Sequence, residues 1–66
     1  MEMNKVKLRL VGLDGNAFAL MGAFTSAARK QGWEQSEIDE VIKDCMSDDY
    51  DHLLNVLMEN TYEQED

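Results

Sequence analysis

From Lys5 to Val11 the chain alternates, with Val6, Leu8 and Leu10 apolar and Lys5, Lys7 and Arg9 basic. Period two sends the two sets to opposite faces, which predicts a strand with one buried and one basic face. The next residues, Gly12-Leu13-Asp14-Gly15-Asn16, read as a turn. Asp-Gly signals a hairpin when strands flank it, and a second strand over 17–21 is one reading of the segment after it. The alanine-rich run Ala17–Phe24 lacks β-branched residues and favours a helix instead, with Asn16 as its N-cap. That helix is expected over 17–31. Leu20, Met21, Phe24 and Ala28 form its apolar stripe, extended by Ala17 and Ala27. Gly22 in its interior is expected to allow another element to approach closely. Arg29 and Lys30 suit the negative end of the helix dipole. Gly32 is placed to stop the helix in the left-handed conformation, and Trp33 is expected to fold back over the core.

The same spacing predicts two further helices. Ser36 is the expected N-cap of the second, with Asp39 three residues on as in a capping box. Its stripe is Ile38, Val41, Ile42 and Cys45. Ser47 or Asp48 is expected to cap the third, whose stripe is Tyr50, Leu53, Leu54, Leu57 and Met58. The segment 62–66 reads as a frayed acidic tail. The predicted fold is α+β: one strand followed by three short helices in a single domain spanning 1–66, with an ordered core over about 5–60. One strand cannot complete its own ladder. It can pair with its copy in a homodimer, add to the sheet edge of a partner, or lie along the helices. Pairing through the Lys5, Lys7 and Arg9 strand, with a copy or a partner, is the favoured expectation.

A chain of 66 residues buries a limited fraction of its surface. Cys45 is its sole cysteine, so no internal disulfide supports the core. Hydrophobic residues make up 44% of it, too many for a disordered segment of high net charge. No segment approaches the roughly 18 apolar residues of a membrane span, and the N-terminal residues show no apolar signal-peptide region. A cytoplasmic protein is expected.

Charge is divided unevenly. Residues 1–33 carry two acids and five bases, residues 34–66 twelve acids and one base, and the net charge is −8. That balance argues against anionic membranes and against direct nucleic-acid binding. It makes the acids of the second and third helices, Glu37, Glu40, Asp44, Asp48, Asp49, Asp51 and Glu59, the candidate partner-binding face. Asp39 is expected to pair with Lys43 one turn later, whereas Glu40 and Asp44 are like charges at the same spacing. A face of carboxylates can occupy a site built for phosphates, so the partner sought is a host or self protein, including one that handles nucleic acid.

Other chemistry reads weakly. His52, in Asp48-Asp49-Tyr50-Asp51-His52, matches neither a calcium loop nor a helical zinc motif, and Asp51 is the residue expected to raise its pKa. Cys45 sits on an apolar stripe among acids, the setting of a buried thiol rather than a nucleophile. Gly12 and Gly15 start like a phosphate loop, but no third glycine or Lys-Ser/Thr comes after them and Asp14 would repel a phosphate. Gly12, Asp14, Gly15 and Asn16 are therefore assigned to a structural turn. No catalytic residue, cofactor or metal is expected.

The turn Gly12-Leu13-Asp14-Gly15-Asn16-Ala17-Phe18 and the segment Ser47-Asp48-Asp49-Tyr50-Asp51-His52-Leu53-Leu54 resemble those of short uncharacterised proteins of bacteriophages, prophages and mobile elements. The resemblance spans about residues 5–60. It implies a phage or mobile-element setting and supplies no catalytic residue. Together these readings lead to a small, acidic, non-enzymatic accessory protein that binds a host protein and can inhibit it. The alternative is a homodimeric structural or regulatory module whose acids serve solubility.

Overall fold

The computed structural model describes residues 5–10, 12 and 15–62. The element order is β1 (Val6–Lys7), α1 (Ala17–Lys30), α2 (Gln35–Cys45), α3 (Tyr50–Glu59) and β2 (Thr61–Tyr62). The α+β reading holds at this level, with three helices and a second short strand that the sequence pattern did not reveal.

β2 completes within the chain the ladder that a single strand leaves open. It runs parallel to β1, in the register Val6 opposite Thr61 and Lys7 opposite Tyr62. The Val6 amide donates to the Asn60 carbonyl at 2.8 Å and the Leu8 amide to the Tyr62 carbonyl at 3.0 Å. β1 is shorter than the alternation suggests because its partner is only two residues long. The alternation itself is kept: Val6 is buried, Leu8 and Leu10 are half-buried, and Lys5, Lys7 and Arg9 are exposed. Tyr62, expected in a frayed tail, belongs to β2, while Val11, Leu13, Asp14 and the acids from 63 onward lie outside the described residues.

On its other edge β1 meets a side chain. Gln31 accepts a hydrogen bond from the Lys7 amide at 2.9 Å and donates one to the Lys7 carbonyl at 3.0 Å. A primary amide has one donor and one acceptor side, so it can stand in for the peptide group of a neighbouring strand.

α1 begins as its sequence implies. The Asn16 side chain accepts from the amides of Phe18 and Ala19. The helix ends at Lys30, and Gly32 comes shortly after with φ +93°, the left-handed value expected of a stop. Gly12 also has φ +93°, which is why the turn after β1 requires glycine there. Trp33 does fold back, its ring edge-on to Phe24 with centroids 5.6 Å apart. Gly22 departs from expectation: it is exposed, and a Cβ there would meet nothing within 4 Å.

The caps of α2 and α3 are displaced from the predicted residues. Glu34, not Ser36, is the N-cap of α2, and Glu37 reaches back to accept from the Glu34 amide at 2.9 Å. Asp49, rather than Ser47 or Asp48, caps α3 by accepting from the His52 amide at 3.0 Å. The core fixes both registers. Ile38 and Cys45 of α2 pack with Leu53, Val56 and Leu57 of α3, with Leu20, Met21, Phe24 and Ala28 of α1, and with Val6. Val56 therefore takes the inward position that the stripe assigned to Met58, while Met58 and Tyr50 remain exposed.

Candidate functional site

The predicted acidic face divides into separate groups. Glu37, Glu40 and Asp44 recur along one side of α2 at three- and four-residue steps. They line, with Trp33, Val41 and Asn60, an open groove of about 310 Å³. Asp48 and Asp49 lie in the α2–α3 connection and border a different concavity. Asp51 and Glu59 are exposed on α3 and line neither. The seven acids are all at the surface, but only three share the α2 groove.

Within the groove the carboxylates differ in what already holds them. One Glu37 oxygen accepts from the Glu34 amide, which fixes that side chain. Asp44 meets His52, its Oδ1 lying 2.9 Å from the imidazole Nε2. Glu40 has no hydrogen bond or ion pair among the described residues. Trp33 is half-buried and held by Phe24, giving the groove an aromatic wall. A guanidinium or ammonium group suits such a lining, since its charge meets carboxylates and its alkyl stem meets an aromatic surface.

The expected ion pair of Asp39 with Lys43 does not form. Asp39 accepts instead from the Gln35 side-chain amide at 2.8 Å. Arg29 likewise donates to a neutral partner, the side-chain Oε1 of Gln35, at 3.0 and 3.2 Å. Among the described residues no lysine or arginine nitrogen lies within 4.0 Å of a carboxylate oxygen. Among the described residues the acidic surface is thus left uncompensated by lysine and arginine, and His52 is the base that meets one of its carboxylates.

His52 and Asp44 are not a pair that the sequence suggests, since Asp51 is the nearer acid along the chain. Neighbours on a helix point about 100° apart, so Asp51 faces away. The α2–α3 hairpin instead returns Asp44, eight residues earlier, to the imidazole. The hydrogen bond to Asp44 raises the His52 pKa above 6.5, against a smaller opposing effect of desolvation, with added attraction to Asp44 and Asp48. Ser47 Oγ lies 3.4 Å from the same Nε2 and donates to the Asp44 carbonyl at 2.7 Å. Serine, histidine and aspartate are together, yet both oxygens address one ring nitrogen. A proton relay needs the serine on one nitrogen and the carboxylate on the other. The arrangement is a clasp between α2 and α3.

Cys45 is buried, and burial together with the nearby Asp44 pushes its thiol pKa up, burial contributing more. That combination disfavours a nucleophilic thiolate. Gly15 has no positive φ, and a Cβ there would lie 3.6 Å from the Tyr50 hydroxyl. The Tyr50 hydroxyl donates to the Gly15 carbonyl, tying the start of α3 to the turn before α1. Among the described residues no cluster of His, Cys, Asp and Glu could hold a metal ion, and no helix is long and apolar enough to cross a membrane.

No protein-family model, curated protein or solved structure matches the chain.

Proposed function

We propose that this chain is a non-enzymatic binding protein whose α2 groove, lined by Glu37, Glu40, Asp44 and Trp33, docks a basic surface of another protein. The observation that carries this reading is the uncompensated acidic surface. Neither Lys43 nor Arg29 forms an ion pair with a carboxylate among the described residues. Grouping of three acids beside a half-buried tryptophan favours a cationic side chain as the occupant. A host protein whose surface normally receives phosphates presents such groups, so blocking it by mimicry belongs to this proposal. So do a cytoplasmic location and the phage or mobile-element setting that the turn and α3 segments suggest by resemblance.

Homodimerisation through β1 is the second reading. It draws on the exposed basic face of β1, but a copy or partner strand would have to displace Gln31 from Lys7. The groove needs no such displacement, and recognition is placed there.

The test is affinity capture from nuclease-treated host lysate with three forms of the tagged protein. Glu37→Gln/Glu40→Gln removes two groove charges while keeping an acceptor for the Glu34 amide. Asp51→Asn/Glu59→Gln removes two charges outside the groove. The expected result is one basic protein retained by the wild type and by the α3 variant and lost by the groove variant. An eluate holding only the bait, or equal capture by all three, would overturn the proposal.

A further inference from the structure

Three large apolar side chains left exposed by the fold meet at one place. Phe18, in the first turn of α1, is 76% exposed, Met46 after α2 is 60% exposed, and Tyr50 at the start of α3 is 44% exposed. They surround a concavity of about 270 Å³ whose floor includes the buried Met21 and Leu53. That volume accommodates one large side chain. The rim is fixed: the Tyr50 hydroxyl is bonded to the Gly15 carbonyl, and Asn16 caps the turn that carries Phe18.

Asp48 and Asp49 border the same concavity. One Asp48 oxygen accepts from the Asp49 amide at 2.8 Å, and one Asp49 oxygen accepts from the His52 amide. Each carboxylate is thereby held in position on an exposed residue. Among the described residues, none that lines the concavity is a lysine or arginine. An apolar concavity with a carboxylate rim is complementary to an apolar side chain flanked by cations. The same charge excludes an anionic lipid surface and a nucleic acid as occupants.

We propose that this concavity receives a single large apolar side chain from a lysine- or arginine-rich protein segment. The inference rests on the basic-partner reading above and deepens it. The partner would carry an apolar anchor beside its cations, the anchor seated between Phe18, Met46 and Tyr50.

The experiment is an NMR titration of the full chain with three short peptides. The first is lysine-rich with a central leucine. The second replaces the leucine by alanine, and the third replaces the lysines by glutamine while keeping the leucine. The leucine–lysine peptide is expected to shift resonances of Phe18, Met46 and Tyr50. The alanine peptide should bind about tenfold more weakly, or worse, given what one buried apolar side chain contributes, and the glutamine peptide should also bind more weakly because it lacks the cations that meet the carboxylate rim. A Phe18→Ser/Met46→Ser variant should lose the binding while keeping its circular dichroism, since both side chains are mostly exposed. Equal binding of the alanine peptide would overturn the anchor and leave the acidic-groove reading standing. Equal binding of the glutamine peptide would overturn the basic partner itself. Shifts at the concavity that grow with protein concentration alone would assign it to a second copy and overturn the proposal, as would the absence of binding by all three.

Discussion

Replacing Gln31 by alanine should both weaken the fold and expose a sheet edge. The side chain forms two hydrogen bonds to Lys7, at 2.9 and 3.0 Å, and no others among the described residues. A neutral intramolecular hydrogen bond contributes about 0.5–1.5 kcal/mol net, and exposed ones fall at the low end because water replaces the lost partner. The pair is therefore worth about 1 kcal/mol. For a domain of this size that lowers Tm by roughly 4–8 °C. Alanine leaves the end of α1 intact, since the Gln31 backbone amide keeps its bonds to the carbonyls of Ala27 and Ala28. The freed Lys7 amide and carbonyl become an open template on β1, so the variant should associate at concentrations where the wild type does so less. Urea unfolding and sedimentation, each run across a concentration series, measure the two effects. Gln31→Glu keeps the acceptor and loses the donor, and should fall no closer to wild type than alanine does. Unchanged stability together with unchanged association would refute the role assigned to Gln31.

Three other outcomes are expected. Gly22→Ala should stabilise the protein by about 0.5–1 kcal/mol, because the site is an exposed helix interior with open space for a methyl group; a lower Tm would show that some contact requires the glycine. The His52 pKa in the folded protein should exceed 6.5 by NMR and fall back in Asp44→Asn. Because folding raises that pKa, the clasp's contribution is fully present below the unfolded value near 6.5 and is lost as pH rises through the folded value. The wild type should therefore lose its stability advantage over His52→Gln on going from acid to mildly alkaline pH, and a constant difference would contradict the clasp. Cys45 should react with a thiol reagent only slowly in the native protein and readily in urea; fast native labelling would contradict its burial.

The parts of the fold legible in the sequence are those where one residue settles the question. Asn16, the alanine run and Gly32 delimit α1 almost to the residue. The alternation around β1 sorts buried from exposed positions correctly. β2 escaped because Thr61 and Tyr62 are too few to show a period, and its pairing arises only after three helices return the chain to β1. The caps of α2 and α3 slipped because both segments offer several competent residues in a row. Glu34 and Asp49 prevail because Ile38 and Leu53 must face the core. The acids of the candidate site were visible as a group, but their division among a groove, a rim and an open helix face depends on the α2–α3 hairpin. The Asp44–His52 clasp depends on it too. Phe18, Met46 and Tyr50 gave no joint signal, since they lie on three separate segments.

The decisive quantity is the affinity between the purified chain and the protein it captures, measured by calorimetry at about 50 and about 500 mM salt, between which the screening length shrinks to a few Å. The expected result is binding that weakens strongly with salt in the wild type, and a groove variant, Glu37→Gln/Glu40→Gln, that is weak at both concentrations. Binding that ignores salt, or that is unchanged in the groove variant, would contradict the claim that these carboxylates recognise a basic partner.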